Sequence, residues 1–254
     1  MRRLLPALAA LVFCAPAYAI TGNAPAANGW SAQAIVMVTD PRGDLCTGTA
    51  LAPDLVLTAA HCLSRKRDNA IRIFQNGETV GVQTYAVHPQ FDFGNYLRAR
   101  ATADLALLKL AAPLPDIVVP AMLAPARRVS VGEKLVIAGF GVTLAGTKSG
   151  LGIPRAATLT VTGRPGSLQI RLVDDTTRNK RNGLGACTGD SGGPVFELGG
   201  ASVIGVVSWS TAPNDEEGCG GLTGVTPLVS YHDWIEEMAR KFNSGLLEPG
   251  VDKN

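Results

Sequence analysis

Short runs rich in aliphatic and β-branched residues recur at 34–39, 55–59, 70–74, 134–138, 158–162, 168–173 and 202–209, each cut off by turn residues. None is long enough for a helix of ordinary length, and 29 Gly and 16 Pro in 254 residues supply the breaks. A chain punctuated this way folds as an all-β sandwich or barrel. Helical period appears only near the end, where Leu228, Tyr231, Trp234, Ile235 and Met238 fall on one face of a segment ending about Phe242. A C-terminal α-helix packed on a β body is expected. The run Ala111-Ala112-Pro113-Leu114-Pro115-Asp116, continuing to Pro120, interrupts the strands near the middle and reads as a linker between halves of roughly 100 residues, enough for a small core each. The expected division is 20–118, 119–243 and a polar, flexible tail at 244–254.

The chain opens Met1-Arg2-Arg3, runs through apolar residues from Leu4 to Phe13, and reaches Ala17-Tyr18-Ala19, a small-x-small site of the kind signal peptidase cuts after. Residues 1–19 therefore read as an export leader. A membrane anchor needs about 20 apolar residues, and this stretch is shorter and carries Pro6 and Pro16. Cys14 does not read as a lipid attachment site, because the residue before it is the bulky Phe13. The chain has 23 Lys and Arg against 21 Asp and Glu, and Arg2 and Arg3 leave with the leader, so the mature body is balanced in charge. A balanced surface with no basic run offers no footprint for nucleic acid or, once the leader is gone, for a membrane. Four cysteines remain, Cys46, Cys62, Cys187 and Cys219. An even set in an exported chain points to two disulfides, with three pairings open. With no Cys-x-x-Cys and only three histidines, neither a zinc site nor a cofactor is expected.

Hydrolysis of an amide by a serine needs an imidazole within hydrogen-bond reach of the hydroxyl, a buried carboxylate to orient that imidazole, and backbone N–H groups facing the developing oxyanion. Gly189-Asp190-Ser191-Gly192-Gly193-Pro194 is a turn whose glycines allow the N–H groups of Gly189 and Ser191 to converge. Read as Gly-x-Ser-x-Gly it also matches the nucleophile elbow of α/β-hydrolases, but that fold wants a helix after the serine and the acid and histidine downstream. Here Val195-Phe196-Glu197 and a strand-like run follow, and only His232 lies beyond. Among the histidines, His61 ends an apolar run beside Cys62, a rigid place for a base, whereas His88 precedes Pro89 and His232 opens the terminal helix. Asp104 heads the run Leu105-Ala106-Leu107-Leu108, which places its carboxylate at a buried strand, where it needs a partner.

Together, Thr58-Ala59-Ala60-His61-Cys62, Asp104-Leu105-Ala106-Leu107 and Gly189-Asp190-Ser191-Gly192-Gly193-Pro194, in that order, resemble the trypsin/chymotrypsin serine protease family. Val87-His88-Pro89, Ala138-Gly139-Phe140-Gly141 and Ser208-Trp209 are weaker echoes. The resemblance spans nearly the whole mature chain. It implies two six-stranded antiparallel β-barrels with a C-terminal α-helix, and a secreted serine endopeptidase with Ser191, His61 and Asp104 as its triad. It pairs Cys46 with Cys62 and Cys187 with Cys219, and it implies polypeptide substrates, a protein inhibitor as partner and a monomeric state. Ser208 would contact the triad, and Ser208-Trp209-Ser210 would pair with substrate backbone as a short strand.

In the family, a new Ile-Val-Gly-Gly terminus inserts and its ammonium pairs with the aspartate before the serine. Here cleavage after Ala19 would release Ile20-Thr21-Gly22-Asn23, and the aspartate is Asp190, so export itself would activate the enzyme. Trypsin-like members carry an aspartate six residues before the serine, where this chain has Gly185. With Ser210 and Gly224 as the other wall positions, the implied pocket is uncharged, which favours an apolar or aromatic residue, while the hydroxyls of Thr188 and Ser210 could receive an acidic one. The loop Pro213-Asn214-Asp215-Glu216-Glu217 reads as solvated surface beside it. A protease-fold binding protein without catalysis is the alternative of a different class.

Overall fold

In the computed structural model, which describes residues 20–63, 69–98, 100–163 and 168–247, the first half of the chain closes on itself. Strands β1 (Ile35–Thr39), β2 (Leu45–Ala52), β3 (Leu55–Thr58), β4 (Ala70–Arg72), β5 (Thr79–Val87) and β6 (Ala106–Leu110) form an antiparallel barrel in the order β1-β2-β3-β6-β5-β4. The ring closes where β4 returns to β1. In the second half, β8 (Lys134–Gly139), β9 (Arg155–Thr162), β10 (Ile170–Val173), β11 (Pro194–Glu197), β12 (Ser202–Ser210) and β13 (Thr223–Pro227) form a second barrel, closed by β11 against β12. A two-residue strand β7 (Met122–Leu123), reached from the linker, runs parallel to the start of β12. The expected two six-stranded antiparallel barrels are therefore present.

Side-chain alternation decides what each strand buries. In β3, Val56 points into the first barrel with Val36, Ile71 and Leu108, while Leu55 and Leu57 point out toward the second. The second barrel encloses Leu135, Ile137, Leu159, Leu172 and Val195, and takes in Ile20. A third cluster fills the space between the barrels, where Leu57, Leu105 and Leu107 meet Phe140, Phe196 and Val206. Tyr231 and Ile235, near and on helix α3 (His232–Lys241), seal its end. Strands buried on both faces read as continuous apolar runs, which is why the Leu105 to Leu108 segment stands out in sequence.

Strands β2, β5 and β13 are not among the runs that stand out. Their sequences, LCTGTALA, TVGVQTYAV and TGVTP, are interrupted by small and turn-forming residues, and their pairing is supplied by neighbours distant in sequence. The tail departs from its expected start, because Ser244 is buried, its hydroxyl accepts from Lys109 Nζ at 3.0 Å, and Leu246 packs on the core. Residues 1–19, expected to be a leader, and residues 248–254 lie outside the described residues.

Phe196 is fully buried and meets Trp30 edge to face, ring centroids 4.9 Å apart. Truncating it leaves a void that neither barrel can close, so Phe196→Ala should lower stability by about 3–5 kcal/mol in a denaturant titration.

Candidate active site

The cleft between the barrels, about 1010 Å³, is lined by His61 and Cys62 from the first barrel and by Thr188, Gly189, Ser191, Ser208, Trp209 and Ser210 from the second. His61 lies in a single 3₁₀ turn (Ala60–Leu63) that follows β3 directly, and Asp104 sits just before β6, the strand paired with β3. Adjacent strands thus bring residues distant in sequence within reach. Asp104 Oδ1 accepts from the His61 backbone N–H at 2.9 Å, and Oδ2 faces His61 Nδ1 at 2.8 Å. From the other barrel, the Ser208 hydroxyl donates to Oδ2 at 2.5 Å. The Asp104 side chain is 1% exposed, so both of its oxygens are filled by protein donors rather than by water. Nε2 lies 3.8 Å from Cys62 Sγ, which is the same distance from the carbonyl oxygen of Ser191.

The Ser191 turn is held from inside and from across the cleft. Asp190 N–H donates to Cys187 C=O at 3.0 Å, and Gly193 N–H to Asp190 C=O at 2.9 Å. Thr47 of β2 grips the turn on both sides of Asp190: its backbone N–H donates to Ser191 C=O at 2.8 Å and its hydroxyl to Gly189 C=O at 2.8 Å. Gly192 has φ 82°, and a Cβ there would lie 2.1 Å from Thr58 Oγ1, so only glycine fits between the barrels. Among the described residues the N–H groups of Gly189 and Ser191 have no acceptor, although the carbonyls around them are engaged. Two uncommitted donors beside a serine can receive negative charge on an oxygen.

Behind the turn, Asp190 is 1% exposed, with Oδ1 accepting from Gly141 N–H and Oδ2 from Cys187 N–H, both at 2.8 Å. Burial outweighs these two bonds and pushes its carboxyl up to about 7. Ile20 is completely buried in the second barrel, and Thr21 N–H donates to Gly185 C=O at 3.1 Å. The disulfides are Cys46–Cys62, beside His61, and Cys187–Cys219, beside the Ser191 turn. Cys46, His61 and Cys62 fall within 4.8 Å of one another, but sulfurs joined to each other are not thiolates and this group supplies a single metal ligand.

Two expected pocket residues lie elsewhere. Gly224 does not line the cleft; it pairs with Trp209, and a Cβ on it would lie 1.9 Å from Trp209 Cε2. Opposite Ser210 stands Thr223, fully buried, whose Oγ1 accepts Ala186 N–H at 2.9 Å and comes within 3.5 Å of where a Cβ on Gly185 would be. Gly185 is buried, and a Cβ on it would meet Gly220 Cα at 3.4 Å as well as Thr223. A bulge at Ser208 shifts the register between β12 and β13 by one residue. The Ser210 hydroxyl is committed to Gly218 C=O at 3.1 Å, and Glu217 of the acidic loop reaches the cleft wall. Three residues that sequence reasoning passes over also shape the site: Thr47, Thr223 and Tyr96, whose ring stacks on His61. Thr47 follows Cys46 directly, which is the only local hint; the other two carry none.

Comparison with known proteins gives one family. A family model described as Trypsin matches residues 19–235. A trypsin from Phaedon cochleariae is 30% identical over 76% of this chain and 78% of that protein. Snake venom serine protease rhinocerase 4 from Bitis rhinoceros is 27% identical over 81% and 82%. Among solved structures, a mutant of human heparin binding protein superposes with a TM-score of 0.71 at 20% identity, covering 89% of this chain and all of that one. Neuropsin, a serine protease of mouse brain, gives 0.68 at 21%, covering 85% and 98%.

Because Trp209 rests on the bare backbone of Gly224, Gly224→Ala should displace the indole. The expected results are a loss of roughly 1–3 kcal/mol in stability from overpacking and a rise in KM for extended peptides, read from melting and steady-state kinetics.

Proposed function

We propose, from the fact that this chain belongs to the trypsin family of serine endopeptidases, that Ser191 is its nucleophile, His61 the general base and Asp104 the carboxylate that orients it. The observation that carries this reading is the buried Asp104, bonded to both the backbone N–H and Nδ1 of His61, which turns Nε2 away from the carboxylate in a cleft that Ser191 also lines. His61 would remove the Ser191 proton as the oxygen attacks the peptide carbonyl, then return it to the leaving amine. The N–H groups of Gly189 and Ser191 would hold the oxyanion of the tetrahedral intermediate, and water would release the acyl group by the same steps. Extended substrate would pair with Ser208-Trp209-Ser210, with Thr188 at the rim of the primary pocket. A catalytically silent binding protein of the same fold is the competing reading, since one structural neighbour is by its title a heparin binding protein.

Thr223 sets the depth of the primary pocket in this reading. Its side chain, opposite Ser210 and near Gly185, would narrow the pocket there, leaving it uncharged and short and better suited to small aliphatic side chains than to aromatic ones. On a panel of peptide anilides, Ala or Val before the cleaved bond should be preferred over Phe and Arg, and Thr223→Gly should extend the range toward Leu and Phe. A hydrophobic pocket discriminates by roughly 1–3 kcal/mol per methylene, or about 10–200-fold. Ser191→Ala should lower kcat by a factor on the order of 10⁴ or more. A panel dominated by Arg would contradict the pocket assignment, and turnover that survives Ser191→Ala would contradict the triad.

Activation by removal of residues 1–19 belongs to the same reading. Ile20 is buried, and with Ala19 attached it is held at φ 48°, a region β-branched residues seldom enter. Cleavage would remove that torsion and create an ammonium for Asp190, for which no cationic side chain is a partner among the described residues. In the uncleaved chain the raised carboxyl keeps its proton in the folded state between about pH 4 and about 7, while the unfolded chain has lost it. Stability contributed there falls as pH rises through that window. The cleaved protein should escape this loss, so the gap in melting midpoint between cleaved and uncleaved forms should widen from pH 4 to pH 8. Asp190→Asn should abolish both the gap and the activity. Two disulfides and the leader-like residues 1–19 support an exported enzyme; a monomeric state and a protein inhibitor as counterpart are carried over from the family resemblance. No helix among the described residues is long and apolar enough to cross a membrane.

A further inference from the structure

Resting on the base role of His61, we infer that Tyr96 is a positioning residue, whose ring fixes the plane of the imidazole. The bond from Nδ1 to Asp104 holds a point in the plane of the ring and does not by itself set the tilt of that plane. A flat surface against the ring face sets that tilt. The Tyr96 ring supplies it, with centroids 4.4 Å apart and planes 12° from parallel. The His61 side chain is left 12% exposed. An imidazolium also prefers the electron-rich face of an aromatic ring to an aliphatic wall, so the same contact favours the cation formed as Ser191 attacks.

The position of Tyr96 is itself tied to the carboxylate. It sits on the short helix α2 (Phe93–Leu97), whose first turn is capped by Asp92 Oδ1 accepting from Asn95 N–H at 2.8 Å. The Asp92 N–H donates at 2.7 Å to the hydroxyl of Thr102, whose own carbonyl accepts from Asp104 N–H at 2.9 Å. The ring that covers the imidazole and the carboxylate that binds it thus hang on one residue. Phe93 backs the outer side of the stack, with planes 17° from that of Tyr96. The phenol is pushed up to about 12 by burial, with the Asp104 charge adding to it, so it stays neutral and the ring rather than the hydroxyl acts.

The test compares Tyr96→Phe and Tyr96→Leu with the unsubstituted protein on a peptide anilide, together with the rate of inactivation by an organophosphonate. Tyr96→Phe should keep kcat, KM and the inactivation rate. Tyr96→Leu should lose kcat and inactivation rate by on the order of 10–100-fold, the scale of a misplaced catalytic group, with KM little changed. Should the Leu variant melt below the assay temperature, Tyr96→Met carries the same expectation. An unchanged kcat in the Leu variant, a loss confined to KM, or an equal loss in Tyr96→Phe overturns the inference while leaving the triad standing. An unsubstituted protein without turnover overturns the base role, and the inference with it.

Discussion

A carboxylate removed from water costs several kcal/mol unless its charge is paired and its lone pairs are filled. Asp104 meets that demand with three donors from two segments: the His61 backbone and ring beyond β3, and the Ser208 hydroxyl on β12. Because β3 and β12 belong to different barrels, the requirement ties the two halves of the chain together at the cleft. The apolar cluster around Leu57, Leu107, Phe140 and Phe196 fills the space on the core side of that junction. Burial of one charge and closure of the interface are parts of a single arrangement, and the orientation of His61 follows from it.

Asp190 presents the opposite case. It is as deeply buried as Asp104, accepts only two backbone N–H groups, and its carboxyl rises to about 7. A carboxylate so placed favours any cation brought to it. The adjacent turn is otherwise complete: Thr47 clamps it from the first barrel, and Gly192 lies too close to Thr58 for any side chain there. The structure therefore pairs one buried acid, which orients His61, with a second under the Ser191 turn that accepts only two backbone N–H groups.

Much of this was legible in residue order. Asp104 stands before a run apolar on both faces, His61 stands beside a cysteine, and the glycines around Ser191 mark a turn with a special backbone, so each signal was local. What stayed hidden depends on contacts across the fold. Thr47 and Tyr96 act through partners far away in sequence, and neither type is unusual where it occurs. A bulge at Ser208 slips β12 against β13 by one residue, placing Thr223 opposite Ser210 and Gly224 opposite Trp209. A one-residue slip moves a side chain to the other face of a strand, and no alternation within TGVTP signals it.

The most direct test of the account is covalent. Treatment with an aryl organophosphonate, followed by intact mass and peptide mapping, should give one adduct per chain, located on Ser191, with labelling slowed severely by His61→Ala. Labelling elsewhere, no labelling of a folded protein beginning at Ile20, or labelling indifferent to His61 would contradict the claim that His61 and Asp104 activate Ser191.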